Sequence, residues 1–111
     1  MANVQELSDA NFDDTLNGAD RPVLVDFSAG WCQPCKALAP TIEAVAGEYE
    51  GRLDVYKVDV DSAPESASRF GIAGLPTCIF FHGGKEVDRF TGSRDLRGVK
   101  EYVEKVLSVQ A

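Results

Sequence analysis

The chain has 111 residues, 44% apolar and 26% charged, with a formal net charge of −7. That length suits one domain spanning 1-111, able to bury about two thirds of the surface its unfolded chain exposes, so neither a disulfide staple nor a structural metal is required. The acidic balance argues against nucleic acid, whose phosphates need a basic face, and against an anionic membrane surface.

The opening MANVQELSDANFDD has neither the basic start nor the apolar core of an export signal, and no apolar run is long enough to span a bilayer, so a cytoplasmic, monomeric protein is expected. Val4 to Leu7 reads as a weak first strand. Ser8 then reads as a helix N-cap, with Leu7 and Phe12 spaced as a hydrophobic staple. That helix ends near Asn17-Gly18. Pro22 to Ser28 (PVLVDFS) is the strongest strand, nearly all apolar, as a strand covered on both faces must be. A helix from Pro34 to Tyr49 follows, with Leu38, Ile42, Val45 and Tyr49 on one face. Pro34 is tolerated in its first turn, Pro40 is expected to kink it, and Gly51 stops it. Leu53 to Val60 (LDVYKVDV) is the third strand, and Ser62 and Pro64 open a short helix that stops at Gly71. Thr77 to Phe81 (TCIFF) is the fourth strand, and Gly83-Gly84 turns it into a fifth, Glu86 to Thr91. The last helix runs from Asp95 to Ser108, with Leu96, Val99, Val103 and Val106 as its buried stripe. The order β-α-β-α-β-α-β-β-α implies an α/β fold, one mixed central sheet with parallel early strands and an antiparallel final hairpin, helices lying on both faces.

Three cysteines are odd and few, unlike a secreted disulfide framework; two of them at close spacing point to catalysis or metal binding. Cys32 and Cys35, with Gln33 and Pro34 between them, sit where the strongest strand meets the longest helix. A thiolate nucleophile needs its pKa lowered, and a helix N-terminus supplies unpaired N–H groups and a positive dipole end. The first cysteine is best placed to receive that help, so Cys32 is the expected attacker. Cys35, one turn in and more buried, is placed to resolve, and the two-residue gap lets the sulfurs approach bonding distance. A zinc site of Cys32, Cys35, Cys78 and His82 is the competing arrangement. It fails because Cys78 and His82 lie about 13 Å apart along one extended strand at ~3.3 Å per residue, whereas zinc ligands converge within about 2.3 Å of the metal.

Asp26 lies inside the apolar strand. Buried there, its pKa rises and suits a general base or acid; at a water-facing strand end it does neither. Lys57 in the adjoining strand either pairs with Asp26 or faces solvent beside Asp59. Pro76 either opens its strand in the ordinary way or carries a cis bond. Trp31 is a surface contact for protein substrates or a core residue. Cys78 reads as a small buried hydrophobe, sharing a strand face with Pro76. His82 reads as an exposed hairpin residue.

VDFSAGWCQPCKALAP, KVDVD, GIAGLPT, HGGKEV and FTGS together resemble the thioredoxin family, in order and spacing over essentially the whole chain. Asp26, Trp31, Cys32, Pro34, Cys35, Lys36 and Pro40 fall on family positions, as do Lys57, Gly84 and Gly92. The resemblance implies a thioredoxin fold: a mixed five-stranded central sheet flanked by four helices. It implies a protein-disulfide reductase whose Cys32–Cys35 dithiol becomes a disulfide, with Asp26 aiding Cys35 and Lys57 near Asp26. It places the cis bond at Pro76, which would keep metals off the thiols, and the substrate surface at Trp31, Gly74, Leu75, Pro76 and Gly92. No bound cofactor is implied; electrons would come indirectly from NADPH through a thioredoxin reductase. Two departures stand out. Gln33 replaces the usual glycine, which leaves the reduction potential open. Ser28 replaces a frequent tryptophan, which is expected to loosen packing beneath the active-site loop. An exported oxidant or isomerase usually carries histidine in the dipeptide, so the Gln-Pro pair favours a reductant. A non-catalytic subunit or clamp would keep the same residues.

Overall fold

The computed structural model describes residues 4–110; residues 1–3 and 111 of the expected 1–111 domain lie outside the described part. A strand with no polar face must sit between two layers, and β2 (Val23–Ser28) does so, buried from Val23 through Phe27. The other elements are β1 (Gln5–Glu6), α1 (Phe12–Gly18), α2 (Gln33–Glu48), β3 (Asp54–Asp59), α3 (Pro64–Arg69), β4 (Thr77–His82), β5 (Lys85–Thr91) and α4 (Leu96–Gln110). One five-stranded sheet runs β1-β3-β2-β4-β5. β3 is parallel to both β1 and β2, while β4 is antiparallel to β2 and β5 to β4. The mixed five-stranded sheet with four helices is the architecture that the resemblance implied.

Alternation along the strands splits the core in two. Leu24, Cys78 and Phe80 face α2 and α4, packing with Leu38, Ile42, Val45, Val99, Val103 and Val106. Val23, Val25, Phe27, Ile79 and Phe81 face the other way, toward Phe12 and Leu16 of α1. β2 and β4 therefore carry a continuous apolar layer on each side, and Asp26 is the one charged side chain buried among them.

Three expectations change. The first helix begins at Phe12 with Asn11, not Ser8, at its N-cap. Ser8 and Asn11 are joined in a turn one step earlier: Asn11 Oδ1 accepts from Ser8 N–H at 2.8 Å, and Ser8 Oγ accepts from Asn11 N–H at 3.3 Å. Both side chains are thereby used before the helix starts. Leu96 is 39% exposed rather than part of the α4 stripe, because it is the helix's first residue and stands at the edge of the packed face. His82 is half-buried at the end of β4, not exposed.

The β4–β5 hairpin turns through Gly83 and Gly84, at φ +62° and +80°. A two-residue loop of this kind needs positive φ at both positions. A Cβ on Gly84 would also collide with the Asn17 side chain, whereas one on Gly83 meets nothing within 4 Å. Gly84→Ala is therefore expected to destabilise the fold by about 1–2 kcal/mol for backbone strain, and by more than Gly83→Ala. Urea unfolding of both variants tests this; equal losses would show that the Asn17 contact costs nothing.

Candidate active site

α2 starts immediately after the β2 loop because Cys32 is extended (φ −91°, ψ 111°) while Pro34, near the N-terminus, has a ring already compatible with helix. Cys32 is the N-cap, and its Sγ accepts from the Cys35 backbone N–H at 3.3 Å. A residue at that position receives the unpaired N–H groups of the first turn and the positive end of a 16-residue helix dipole. Cys32 and Cys35 are joined as a disulfide, with Cα atoms 5.3 Å apart. Cys35 is not the more buried of the two: each is 5% exposed in this oxidised form, packed with Ala29 against Val60 and Leu75. What separates them is the opening, since Cys32 lines the adjacent groove and Cys35 does not.

That groove has a volume of about 610 Å³ and runs from Trp31, Gln33 and Pro34 across to Gly74 and Leu75. Trp31 is a surface residue, 68% exposed, with its indole N–H donating to Asp61 at 2.9 Å. Asp61 was not legible as a partner, since nothing local links residues thirty positions apart. Ile72 and Ala73 also line the groove. They belong to the GIAGLP segment, whose apolar character could have been read as surface-lining rather than as a plain loop. Pro76 and Gly92 are not part of the lining. Pro76 is buried and carries the cis bond. Gly92 N–H donates to the Pro76 carbonyl at 2.8 Å, and Thr77 Oγ1 donates to the Gly74 carbonyl at 2.6 Å. These bonds tie the groove's far wall to β4 and β5.

Within β2, Asp26 is 5% exposed, and desolvation pushes its pKa up to about 6. A hydrogen bond from Cys78 and the charge of Lys57 oppose that rise. Lys57 is the register partner of Asp26 on β3. Its side chain is exposed and makes no direct pair with Asp26, so it acts through its field alone. Cys78 is a free, fully buried thiol opposite Asp26 on β4. Lys36 and Pro40 lie exposed on α2, and the helix continues through Pro40 to Glu48. Ser28, half-buried, accepts from Val60 N–H through its carbonyl at 2.9 Å. Among the described residues, no group of three or more His, Cys, Asp or Glu side chains is arranged to hold a metal.

The family model described as Thioredoxin matches residues 3–105. The chain belongs to the thioredoxin family. Thioredoxin of Staphylococcus saprophyticus is 39% identical over 104 residues, covering 94% of this chain and 98% of that protein. The chloroplastic M-type thioredoxin of Pisum sativum is also 39% identical over 104 residues; the match spans 94% of this chain but 60% of the pea protein's length. A bifunctional thioredoxin reductase/thioredoxin of Mycobacterium leprae is 45% identical over 89 residues, 80% of this chain and 19% of that protein. Thioredoxins are thiol–disulfide oxidoreductases that use their own cysteine pair and no bound cofactor. With its Cys32–Cys35 pair at a helix start, this member is a protein-disulfide reductase. No helix among the described residues is long and apolar enough to cross a membrane.

Proposed function

We propose that Cys32 is the nucleophile and Cys35 the resolving thiol, with Asp26 as the proton acceptor between the two steps. The Cys32 thiolate attacks one sulfur of a substrate disulfide and forms a mixed disulfide, releasing the other substrate sulfur as a thiolate that takes a proton from water. Cys35 gives its proton to the Asp26 carboxylate through water. The resulting thiolate attacks Cys32 Sγ, and the second substrate sulfur leaves. The substrate gains two electrons as a dithiol, and the Cys32–Cys35 disulfide remains. The observation that carries this reading is the position of Cys32 Sγ: N-cap of α2, accepting from Cys35 N–H, and open to the groove.

Lys57 favours the ionised carboxylate through its charge. Trp31, Gly74 and Leu75 form the walls against which an extended segment of the substrate lies, with Gln33 and Pro34 at its rim. Pro76 and Gly92 hold the far wall in place, and Pro76 keeps metals off the thiols. The electrons come from NADPH through a separate thioredoxin reductase, a pairing supported by the Mycobacterium leprae protein, whose name joins both activities. A reducing compartment, the cytoplasm, and a monomeric working form fit a chain whose buried Cys78 is left as a free thiol.

The test is insulin reduction driven by NADPH and a thioredoxin reductase, and separately by dithiothreitol. Acceleration is expected in both. Acceleration with dithiothreitol alone would remove the tested reductase as donor. No acceleration in either would leave a non-catalytic clamp as the better reading.

A further inference from the structure

The antiparallel register of β2 and β4 sets Asp26 directly opposite Cys78. Cys78 has no exposed surface, and its Sγ lies 3.8 Å from Asp26 Oδ1, within reach of a hydrogen bond from sulfur. An ionised carboxylate only accepts, so the hydrogen in this contact belongs to the thiol. Among the described residues Cys78 is the one group that donates to this carboxylate. Leu38, Ile42, Val99 and Val103 from α2 and α4 fill the same cluster and carry no titratable group; of its tyrosines, Tyr49 donates its hydroxyl to Glu104 at 2.6 Å and Tyr102 packs at the cluster's edge. The facing charges are Lys57 on β3, which acts on Asp26, and Arg94 beyond β5, which acts on Cys78.

We propose that Cys78 is a positioning residue for Asp26: its thiol donates to Oδ1, holds the carboxylate in one orientation, and favours the ionised form that accepts the Cys35 proton. This rests on the reading of Asp26 as that acceptor. Cys78 does no redox chemistry of its own. Burial and the neighbouring Asp26 charge push its thiol well above the free-cysteine value, so it supplies no thiolate. Its sulfur also fits an apolar layer where a hydroxyl would be harder to bury.

In the oxidised protein Cys32 and Cys35 carry no thiol hydrogen, so the infrared S–H stretch belongs to Cys78 alone. As pH rises, that band is expected to move to lower frequency with a midpoint near the Asp26 value of about 6, and to stay still in Asp26→Asn. In the reduced protein, Cys78→Val is expected to shift the acid limb of insulin reduction upward by about 0.5 pH unit or more, because the charged form loses its donor. Cys78→Ser is expected to bring the limb back. A stationary band, or an unmoved limb in Cys78→Val, overturns the proposal. Unaltered turnover in Asp26→Asn would also overturn it, but by removing the carboxylate's role; the band in the oxidised wild type reports separately whether the hydrogen bond exists.

Discussion

Cys32→Ser is expected to cut insulin reduction by at least about a thousandfold, to the rate of the uncatalysed control. A free thiol titrates near about 8.5, and a favourable helix terminus stabilises an anion by up to ~2 kcal/mol. At about 1.4 kcal/mol per unit, that brings a thiol close to neutrality. The same help falls far short of ionising a serine hydroxyl, so the variant has no nucleophile although its backbone is unchanged. Cys35→Ser differs in kind. It keeps Cys32 at the N-cap and in the groove, so it should attack once and stall as a mixed disulfide. Mass spectrometry after mixing each variant with insulin separates the two: a covalent adduct with Cys35→Ser, none with Cys32→Ser. An adduct with Cys32→Ser and none with Cys35→Ser would reverse the assigned roles.

Asp26→Asn is expected to make the protein more stable at pH 7.5 by about 2 kcal/mol while slowing the resolving step. The Asp26 pKa rises from 3.8 in the unfolded chain to about 6 in the folded one. Between those values the native state holds a proton that the unfolded state has released, so wild-type stability falls as pH rises through this window and levels off above it. Below the window the raised pKa exerts no penalty. A shift of about two units corresponds to about 3 kcal/mol. An asparagine that leaves an amide hydrogen unpaired gives back about 1 kcal/mol of that. Urea unfolding of both proteins at pH 7.5 and near pH 3.5 checks the sign. A stability gain that is the same at both pH values would mean that the carboxylate is not desolvated as its burial implies. In stopped-flow reduction, the variant should accumulate mixed disulfide; an unchanged resolving rate would take Asp26 out of proton transfer.

Local chemistry made the candidate site legible. A run of apolar residues interrupted by one carboxylate, followed by two cysteines around a proline, places strand, acid, thiols and helix start within ten residues, Asp26 to Cys35. The sheet was legible for a similar reason: strands such as VLVDF and TCIFF have no polar face, and the turn residues between elements are strong. What the sequence did not reveal depends on residues far apart in the chain. Trp31 and Asp61 meet only after β2 and β3 are side by side. Ile72 and Ala73 become a wall of the groove only because the segment before Pro76 folds back toward Cys32. Lys57 was ambiguous because strand alternation fixes its face but not how far a flexible side chain reaches. The Ser8 N-cap misled because the Ser-Asp-Ala-Asn stretch holds three residues able to cap, and two of them, Ser8 and Asn11, closed a turn of their own before the helix began.

The two outer strands of the sheet bear on how such a protein handles its clients. β1 is only two residues long, and four of the seven residues of β5 are charged. Each rim therefore makes a poor template for a further chain. A protein that holds unfolded or extended polypeptide is exposed to the hazard of zipping onto it, or onto its own copies, along open backbone. Here the rims are blunted, and on the proposed reading a foreign strand is received in the groove beside the sulfurs, where release would follow from the chemistry itself.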